Sequence, residues 1–127
     1  MKTVYLETTV PSYLVARPVR DIVILAHQEI TRFWWATRRS NYKLVISQPV
    51  LDECGEGDPE AASQRLALIR NLFMLSKTVE VEDLAVRYSK ELGIPARAAT
   101  DEAHLAYACV YRVDYLVTWN CKHIANA

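Results

Sequence analysis

The feature that most constrains the fold is a set of short apolar runs separated by long helical stretches. Three runs are clear, Thr3–Leu6, Lys43–Ser47 and Asp114–Thr118, and Phe73–Ser76 is a weaker fourth. Apolar runs of this kind, between helical segments, are typical of strands that are buried on both faces of a parallel sheet. The order of strands and helices therefore predicts an α/β fold in which helices cover both faces of a central parallel sheet.

Helical periodicity fills the segments between these runs. Asp21 is a predicted N-cap for a helix that extends to Arg39, and Asp58, followed by proline, is the N-cap of another. A last helix opens at Thr100 or Asp101 and is apolar on almost every side, which indicates a central position. The helix after Asp21 has an apolar stripe that we expect to face the core. The stripe consists of Ile22, Ala26, Ile30, Phe33, Trp34 and Thr37. Trp35 falls off this face, and we expect it to be exposed.

Length and composition favour one soluble domain over residues 1–127. The chain has 127 residues, 51% of them hydrophobic, which is enough for one buried core. No signal peptide and no apolar run of about 20 residues is present, so we expect a cytoplasmic protein without a membrane span. Fifteen basic and fifteen acidic residues cancel. A net charge of zero excludes nucleic-acid binding by global charge, so any such contact must be local.

The three cysteines give no sign of a disulfide framework or of a zinc ribbon. Cys54, Cys109 and Cys121 are far apart, and an odd number cannot pair completely. Cys109 lies in the apolar run of the last helix, and we expect it to be a small core residue.

Polar residues follow the strands at the edge where a parallel sheet binds its ligands. Glu7 comes directly after the first strand, and Glu53 lies in the helix that follows the second. Asp101 opens the helix that runs antiparallel to the last strand, and Asn120 follows that strand. Four separate segments are therefore predicted to bring these side chains to one rim.

Carboxylates that lie this close together repel one another unless a positive charge lies among them. Oxygen ligands favour Mg²⁺ or Mn²⁺, which can polarise a phosphodiester and stabilise the charge that develops on it. A glycine-rich phosphate loop is absent, because glycine occurs only three times, so hydrolysis is favoured over phosphoryl transfer from a nucleotide.

Each of these residues also has a structural interpretation. Asp101 can be only a helix N-cap, and Asn120 can cap the turn that follows the last strand. Glu53 can be a solvated helical carboxylate, as we expect for its neighbour Asp52 and for Glu102.

The histidines are predicted to have structural or surface roles. His104 and His123 can approach the rim, but no paired metal-histidine spacing is present.

Taken together, four segments resemble the PIN-domain family, in particular the VapC-like toxins of toxin–antitoxin pairs. Val4–Thr9 is similar to the family's first strand with its acidic residue, and Ile46–Glu53 is similar to the second strand and the helical glutamate. Thr100–Ala106 resembles the helix that begins with the third acid, and Tyr115–Asn120 resembles the fourth strand. The resemblance covers essentially the whole chain.

The resemblance implies a three-layer α/β/α sandwich and metal-dependent endoribonuclease activity. It implies that Glu7, Glu53 and Asp101 hold Mg²⁺ or Mn²⁺ and that Asn120 assists them, with Thr9 and Thr118 in support. The implied partners are an RNA substrate, a cognate antitoxin protein and a second copy in a homodimer.

This sequence departs from the family pattern at three places. Glu7 stands where the family usually has aspartate, and Asn120 removes a negative charge from a position that is often aspartate. The chain stops at Ala127, where the family usually continues through a further helix and strand, so we expect the last edge strand to be lacking.

Two alternatives compete with this interpretation. A receiver domain and a haloacid-dehalogenase-like phosphatase share the sheet type. Glu7-Thr8-Thr9 has neither the adjacent acids of the receiver domain nor the D-x-D motif of the phosphatase. A catalytically degenerate PIN domain would bind only an antitoxin or RNA. For antitoxin binding, the helix with Trp34 and Trp35, followed by two arginines, is the predicted surface.

Overall fold

The four apolar runs form the four strands of the protein, whose structure is a computed structural model that describes residues 1–91, 99–120 and 124. The strands are β1 (Lys2–Leu6), β2 (Tyr42–Ile46), β3 (Phe73–Met74) and β4 (Tyr115–Val117). The α-helices of the described part are α1 (Thr9–Val15), α2 (Ile22–Thr37), α3 (Gln48–Cys54), α4 (Pro59–Ile69), α5 (Val79–Glu91) and α6 (Ala99–Val110). A 3₁₀ turn at Arg39–Asn41 leads into β2.

All four strands are parallel, in the order β3-β2-β1-β4. In the central strand β1, Val4 pairs with Leu44 of β2 on one side and with Tyr115 of β4 on the other. The consecutive residues Val4, Tyr5 and Leu6 are all buried, although neighbouring residues of a strand point to opposite faces. Both faces of the sheet are therefore covered, which confirms the predicted α/β fold.

Helices pack in two layers on this sheet. Helix α1 contacts α2 and α4, and α5 packs along α6. The architecture is a three-layer α/β/α sandwich, as the resemblance implied. Strand β4 lies at one edge of the described sheet. Beyond Asn120, the structure describes only Ile124.

Two helices begin at the predicted caps. The Asp21 carboxylate accepts a hydrogen bond from the Ile24 N–H at the start of α2. The Asp58 carboxylate accepts one from the Ala61 N–H at the start of α4, where Pro59 takes the first helical position. Helix α6 begins at Ala99, slightly before the predicted residues Thr100 and Asp101.

The predicted orientation of α2 is wrong, because most of its apolar stripe faces solvent. Ile22 is 81% exposed, Phe33 is 65% exposed and Ile30 is 55% exposed. The side that packs against the rest of the chain has two buried polar residues, Gln28 and Thr31.

Both buried polar residues of α2 have hydrogen-bond partners, which explains why this side can be buried. The Gln28 amide donates to the Arg17 carbonyl and accepts from the Val19 N–H. The Thr31 hydroxyl donates to the His27 carbonyl one turn earlier. Buried polar groups with partners cost little, so α2 can pack by this side.

Trp34 and Trp35 are both half-buried and packed against the core. The prediction that Trp35 is exposed is therefore wrong. The Arg39 guanidinium lies 4.5 Å from the centroid of the Trp35 ring, which covers part of this ring with a cation.

The prediction for Cys109 is also wrong, because this thiol is exposed on α6. Its sulfur accepts a hydrogen bond from the Tyr88 hydroxyl of α5. Cys54, in contrast, is buried in the core, and Cys121 and His123 lie outside the described residues. No helix of the described part combines the length and the apolar character needed to cross a bilayer.

Candidate metal centre

Glu7 stands at the carboxyl end of β1, and its carboxylate is held from three directions. Its side chain is 3% exposed. Its Oε1 accepts hydrogen bonds from the Thr9 N–H at 3.1 Å, from the Thr9 hydroxyl at 2.6 Å and from the Thr118 hydroxyl at 2.7 Å. Because all three donors bind Oε1, the other carboxylate oxygen is not used by them.

Thr9 and Thr118 connect the ends of two neighbouring strands through this carboxylate. The Thr9 hydroxyl accepts from the Trp119 N–H, and the Thr118 hydroxyl accepts from the Asn120 N–H. The segment after β4 is therefore fixed beside the end of β1. Both threonines contact Glu7 directly, which is the geometry that a supporting role requires.

Glu53 reaches the same edge from α3, which begins directly after β2. Its Oε1 accepts hydrogen bonds from the Thr8 hydroxyl at 2.7 Å and from Nε2 of His104 at 2.5 Å. Burial by itself raises the pKa of Glu53, but the hydrogen bonds from His104 and Thr8 and the charge of His104 outweigh burial and lower the pKa. This carboxyl group is therefore ionised at neutral pH.

His104, for which a structural or surface role was predicted, is the third residue of the group that includes Glu7 and Glu53. It lies on α6, is fully buried, and contacts Glu53 through one ring nitrogen and the Tyr5 hydroxyl through the other. Among the described residues, Glu7, Glu53 and His104 offer ligand atoms that all lie within 4.8 Å of one another. The only sequence signal for this position was its spacing of three residues from Asp101, which puts both on one side of a helix.

Asp101 and Asn120 lie in the segments that form this edge, but neither belongs to the group of three. Asp101 is buried on α6, one turn before His104. The Asn120 backbone N–H is linked to Glu7 through the Thr118 hydroxyl. The structure thus brings Glu7 and Glu53 together, whereas a ligand role for Asp101 and Asn120 stays a prediction.

Glu102 was expected to be solvated, and this prediction is wrong. It is buried beside Asp101, and its Oε1 has no hydrogen-bond partner among the described residues. Helix α6 thus begins with two buried carboxyl groups. A buried carboxyl oxygen without a partner is costly, and a nearby cation would reduce this cost.

Comparison with protein-family models, with curated proteins and with solved structures finds no match.

The chemistry open to this edge therefore follows from the donor set. Two carboxylates from distant segments each have one oxygen held by protein donors, and Asp101 precedes His104 by one helical turn on α6. The carboxylate oxygens of Glu7 and Glu53 are hard donors, which fit a divalent cation such as Mg²⁺ or Mn²⁺.

Proposed function

We propose that this protein is a metal-dependent endoribonuclease that hydrolyses RNA phosphodiester bonds, as the toxin of a toxin–antitoxin pair. The observation that carries the proposal is the approach of Glu7 and Glu53, whose ligand atoms lie within 4.8 Å of each other although the residues come from β1 and α3. The choice of RNA and of the biological role rests on the resemblance to the PIN-domain family.

Two features of the site support a divalent cation. The Glu7 carboxylate is buried and close to the partly exposed carboxylate of Glu53, and two negative charges so placed repel each other unless a positive charge compensates them. The donors of Glu7 and of Glu53 each bind one oxygen of the carboxylate, which orients the other. In this proposal Glu7 and Glu53 hold Mg²⁺ or Mn²⁺, and Asp101 and Asn120 complete the site.

The residues around the two glutamates have separate tasks in the proposed reaction. A bound cation would act as a Lewis acid toward a phosphodiester and would stabilise negative charge in the transition state. Thr9 and Thr118 orient the Glu7 carboxylate, and Thr8 orients that of Glu53. Because they are already held in place, these ligands lose little conformational freedom when the cation binds.

The test of the proposal is cleavage of a mixture of RNAs by the purified protein with millimolar Mn²⁺ and with EDTA. We expect cleavage only with Mn²⁺, and we expect Asp101→Asn to remain folded but to lose cleavage. Asp52→Asn is the matched control, because Asp52 is exposed and its carboxylate accepts a hydrogen bond from the side chain of Gln48. An Asp101→Asn variant as active as the wild type would exclude Asp101 from the site.

The exposed apolar residues of α2 support the proposal that this protein binds a protein partner. A second candidate function, in which the domain binds a partner without cleaving RNA, requires such a surface too. Three of the six residues of the predicted stripe are large and mostly exposed. They are Ile22, Ile30 and Phe33, and from here on these three are called the α2 stripe. Ile30 also borders an apolar groove between α2 and β4, formed with Trp34 and Val117. Exposed apolar patches of this kind are typical of protein interfaces.

In the proposed role, the α2 stripe binds the antitoxin or a second copy of the chain in the cytoplasm. A catalytically degenerate domain that only binds a partner would use the same surface. It would neither cleave RNA nor gain thermal stability from millimolar Mn²⁺. Pull-down with the product of a neighbouring gene, comparing wild type with Phe33→Asp, tests the surface. Phe33 is a better probe than Trp35, because Trp35 is partly buried in the core.

A further inference from the structure

A continuous row of buried hydrogen bonds leads from the core of the sheet to Glu53. The Ser47 hydroxyl lies 2.5 Å from the Tyr5 hydroxyl, and the Tyr5 hydroxyl lies 2.7 Å from Nδ1 of His104. Nε2 of His104 lies 2.5 Å from Oε1 of Glu53. Ser47, Tyr5 and His104 are buried, so solvent does not compete for these bonds.

The direction of the last bond follows from the chemistry of its two partners. An ionised carboxylate can only accept hydrogen bonds, so Nε2 of His104 must carry the hydrogen and donate it to Glu53. This holds for the neutral ring and for the protonated ring alike. The other nitrogen, Nδ1, faces the Tyr5 hydroxyl in the core, and both ring nitrogens are therefore engaged within the protein.

From this arrangement we propose that His104 is a positioning residue, which holds the Glu53 carboxylate for the cation without binding the cation itself. The identity of the cation rests on the proposed function. Donors that hydrogen-bond to a metal ligand keep this ligand in its binding orientation, and their loss typically weakens metal binding about 10- to 100-fold.

Glu53 depends on such a donor more than Glu7 does. The Glu7 carboxylate is buried and has three donors, one of them a backbone N–H. The Glu53 side chain is 26% exposed, and among the residues that the structure describes only the Thr8 hydroxyl donates to it besides His104. Without the imidazole, rotation of the Glu53 side chain toward solvent would be opposed by one hydroxyl alone.

The test compares two amides in place of the imidazole. A glutamine at position 104 can place its NH₂ near the position of Nε2, whereas an asparagine reaches only the position of Nδ1. We expect His104→Gln to keep the Mn²⁺ dissociation constant within about 3-fold of the wild type. We expect His104→Asn to weaken Mn²⁺ binding about 10- to 100-fold. Free Mn²⁺ is counted by electron paramagnetic resonance, which needs no RNA.

A second pair of variants keeps the His104 ring, and one of the two removes the hydroxyl that contacts this ring. Tyr5→Phe deletes the hydroxyl that contacts Nδ1, and we expect Mn²⁺ binding to weaken several-fold. Tyr107→Phe is the matched control, because Tyr107 is also buried but lines a groove that α6 forms with α3 and α5. It should bind Mn²⁺ as the wild type does. This pair decides the question if His104→Asn does not fold.

Three results would overturn the inference. The first is equal Mn²⁺ affinity of His104→Gln, His104→Asn and the wild type. The second is an Mn²⁺ affinity of Tyr5→Phe that equals the Mn²⁺ affinity of Tyr107→Phe. The third is nitrogen hyperfine coupling of an imidazole to Mn²⁺ in the wild type, because His104 would then be a ligand. A wild type that does not bind Mn²⁺, or a Glu53→Gln variant that binds it equally well, would instead refute the metal site of the proposed function and the inference with it.

Discussion

The Thr118 hydroxyl donates a 2.7 Å hydrogen bond to Oε1 of Glu7, although the two residues are 111 positions apart in the chain. The bond joins the residue after β4 to the residue after β1, and these two strands are neighbours in the sheet. It also places an oriented hydroxyl between the Glu7 carboxylate and the Asn120 backbone N–H.

Replacing this hydroxyl is expected to weaken the metal site. Thr118→Val preserves the shape of the side chain but removes the donor to Glu7 and the acceptor for the Asn120 N–H. We expect Mn²⁺ binding to weaken about 10-fold and the free energy of unfolding to fall by about 1 kcal/mol. Thr37→Val is the control, because the Thr37 hydroxyl is exposed and donates only to the Phe33 carbonyl within α2. Equal Mn²⁺ affinity in the two variants would show that the Thr118 hydroxyl does not orient Glu7.

The inverted packing of α2 makes an unusual prediction for stability. Gln28→Ala leaves the Arg17 carbonyl and the Val19 N–H without their partners, and we expect it to cost about 1 to 3 kcal/mol. Phe33→Ser removes a much larger apolar side chain but from an exposed position, and we expect a change within about 0.5 kcal/mol. Urea unfolding measures both. A larger loss for Phe33→Ser than for Gln28→Ala would mean that the α2 stripe belongs to the core of the protein.

The buried thiol predicts loss of stability at alkaline pH. Burial raises the pKa of Cys54 from 9.0 to about 12, so the unfolded chain loses this proton at a lower pH than the folded protein does. The contribution of the protonated Cys54 thiol to the free energy of unfolding is therefore fully present below pH 9 and is lost as the pH rises toward 12. We expect Cys54→Ala to have a smaller loss of unfolding free energy than the wild type between about pH 8 and 10.5.

Cys109→Ala is the control for the alkaline experiment, because Cys109 is exposed. It should follow the wild type. If Cys54→Ala lost as much stability as the wild type over this range, the thiol would not be the titrating group.

Much of the fold was predictable from local patterns. The apolar runs gave the strands, because a strand that is buried on both faces has few polar residues. The caps at Asp21 and Asp58 were predictable because a side chain that accepts from the third following N–H acts locally. The parallel topology then placed Glu7 and Glu53 at one edge, as the structure has them.

The wrong predictions concern helices, because a sequence pattern identifies an apolar face of a helix but does not show which segment packs against that face. The periodicity of α2 identified an apolar stripe, yet Gln28 and Thr31 pack inward because other segments satisfy their polar atoms. Cys109 and Glu102 were misplaced for a related reason, since burial on α6 depends on how α5 and α3 cover this helix.

His104 could not be assigned to the site from sequence, because its role depends on two residues from elsewhere. Its ring is placed by Tyr5 on β1 and by Glu53 on α3. A lone histidine in an apolar helix has the same appearance whether it is a core residue or contacts a ligand. Only the three-dimensional contacts distinguish these roles.

The most direct test of the metal site is a calorimetric titration of the purified protein with Mn²⁺. We expect one site on the wild type, binding weakened at least 10-fold in Glu7→Gln and in Glu53→Gln, and unchanged binding in the control Asp52→Asn. A wild-type protein that takes up no Mn²⁺ would contradict the proposed metal site. Glutamine variants that bind Mn²⁺ as tightly as the wild type does would contradict it too.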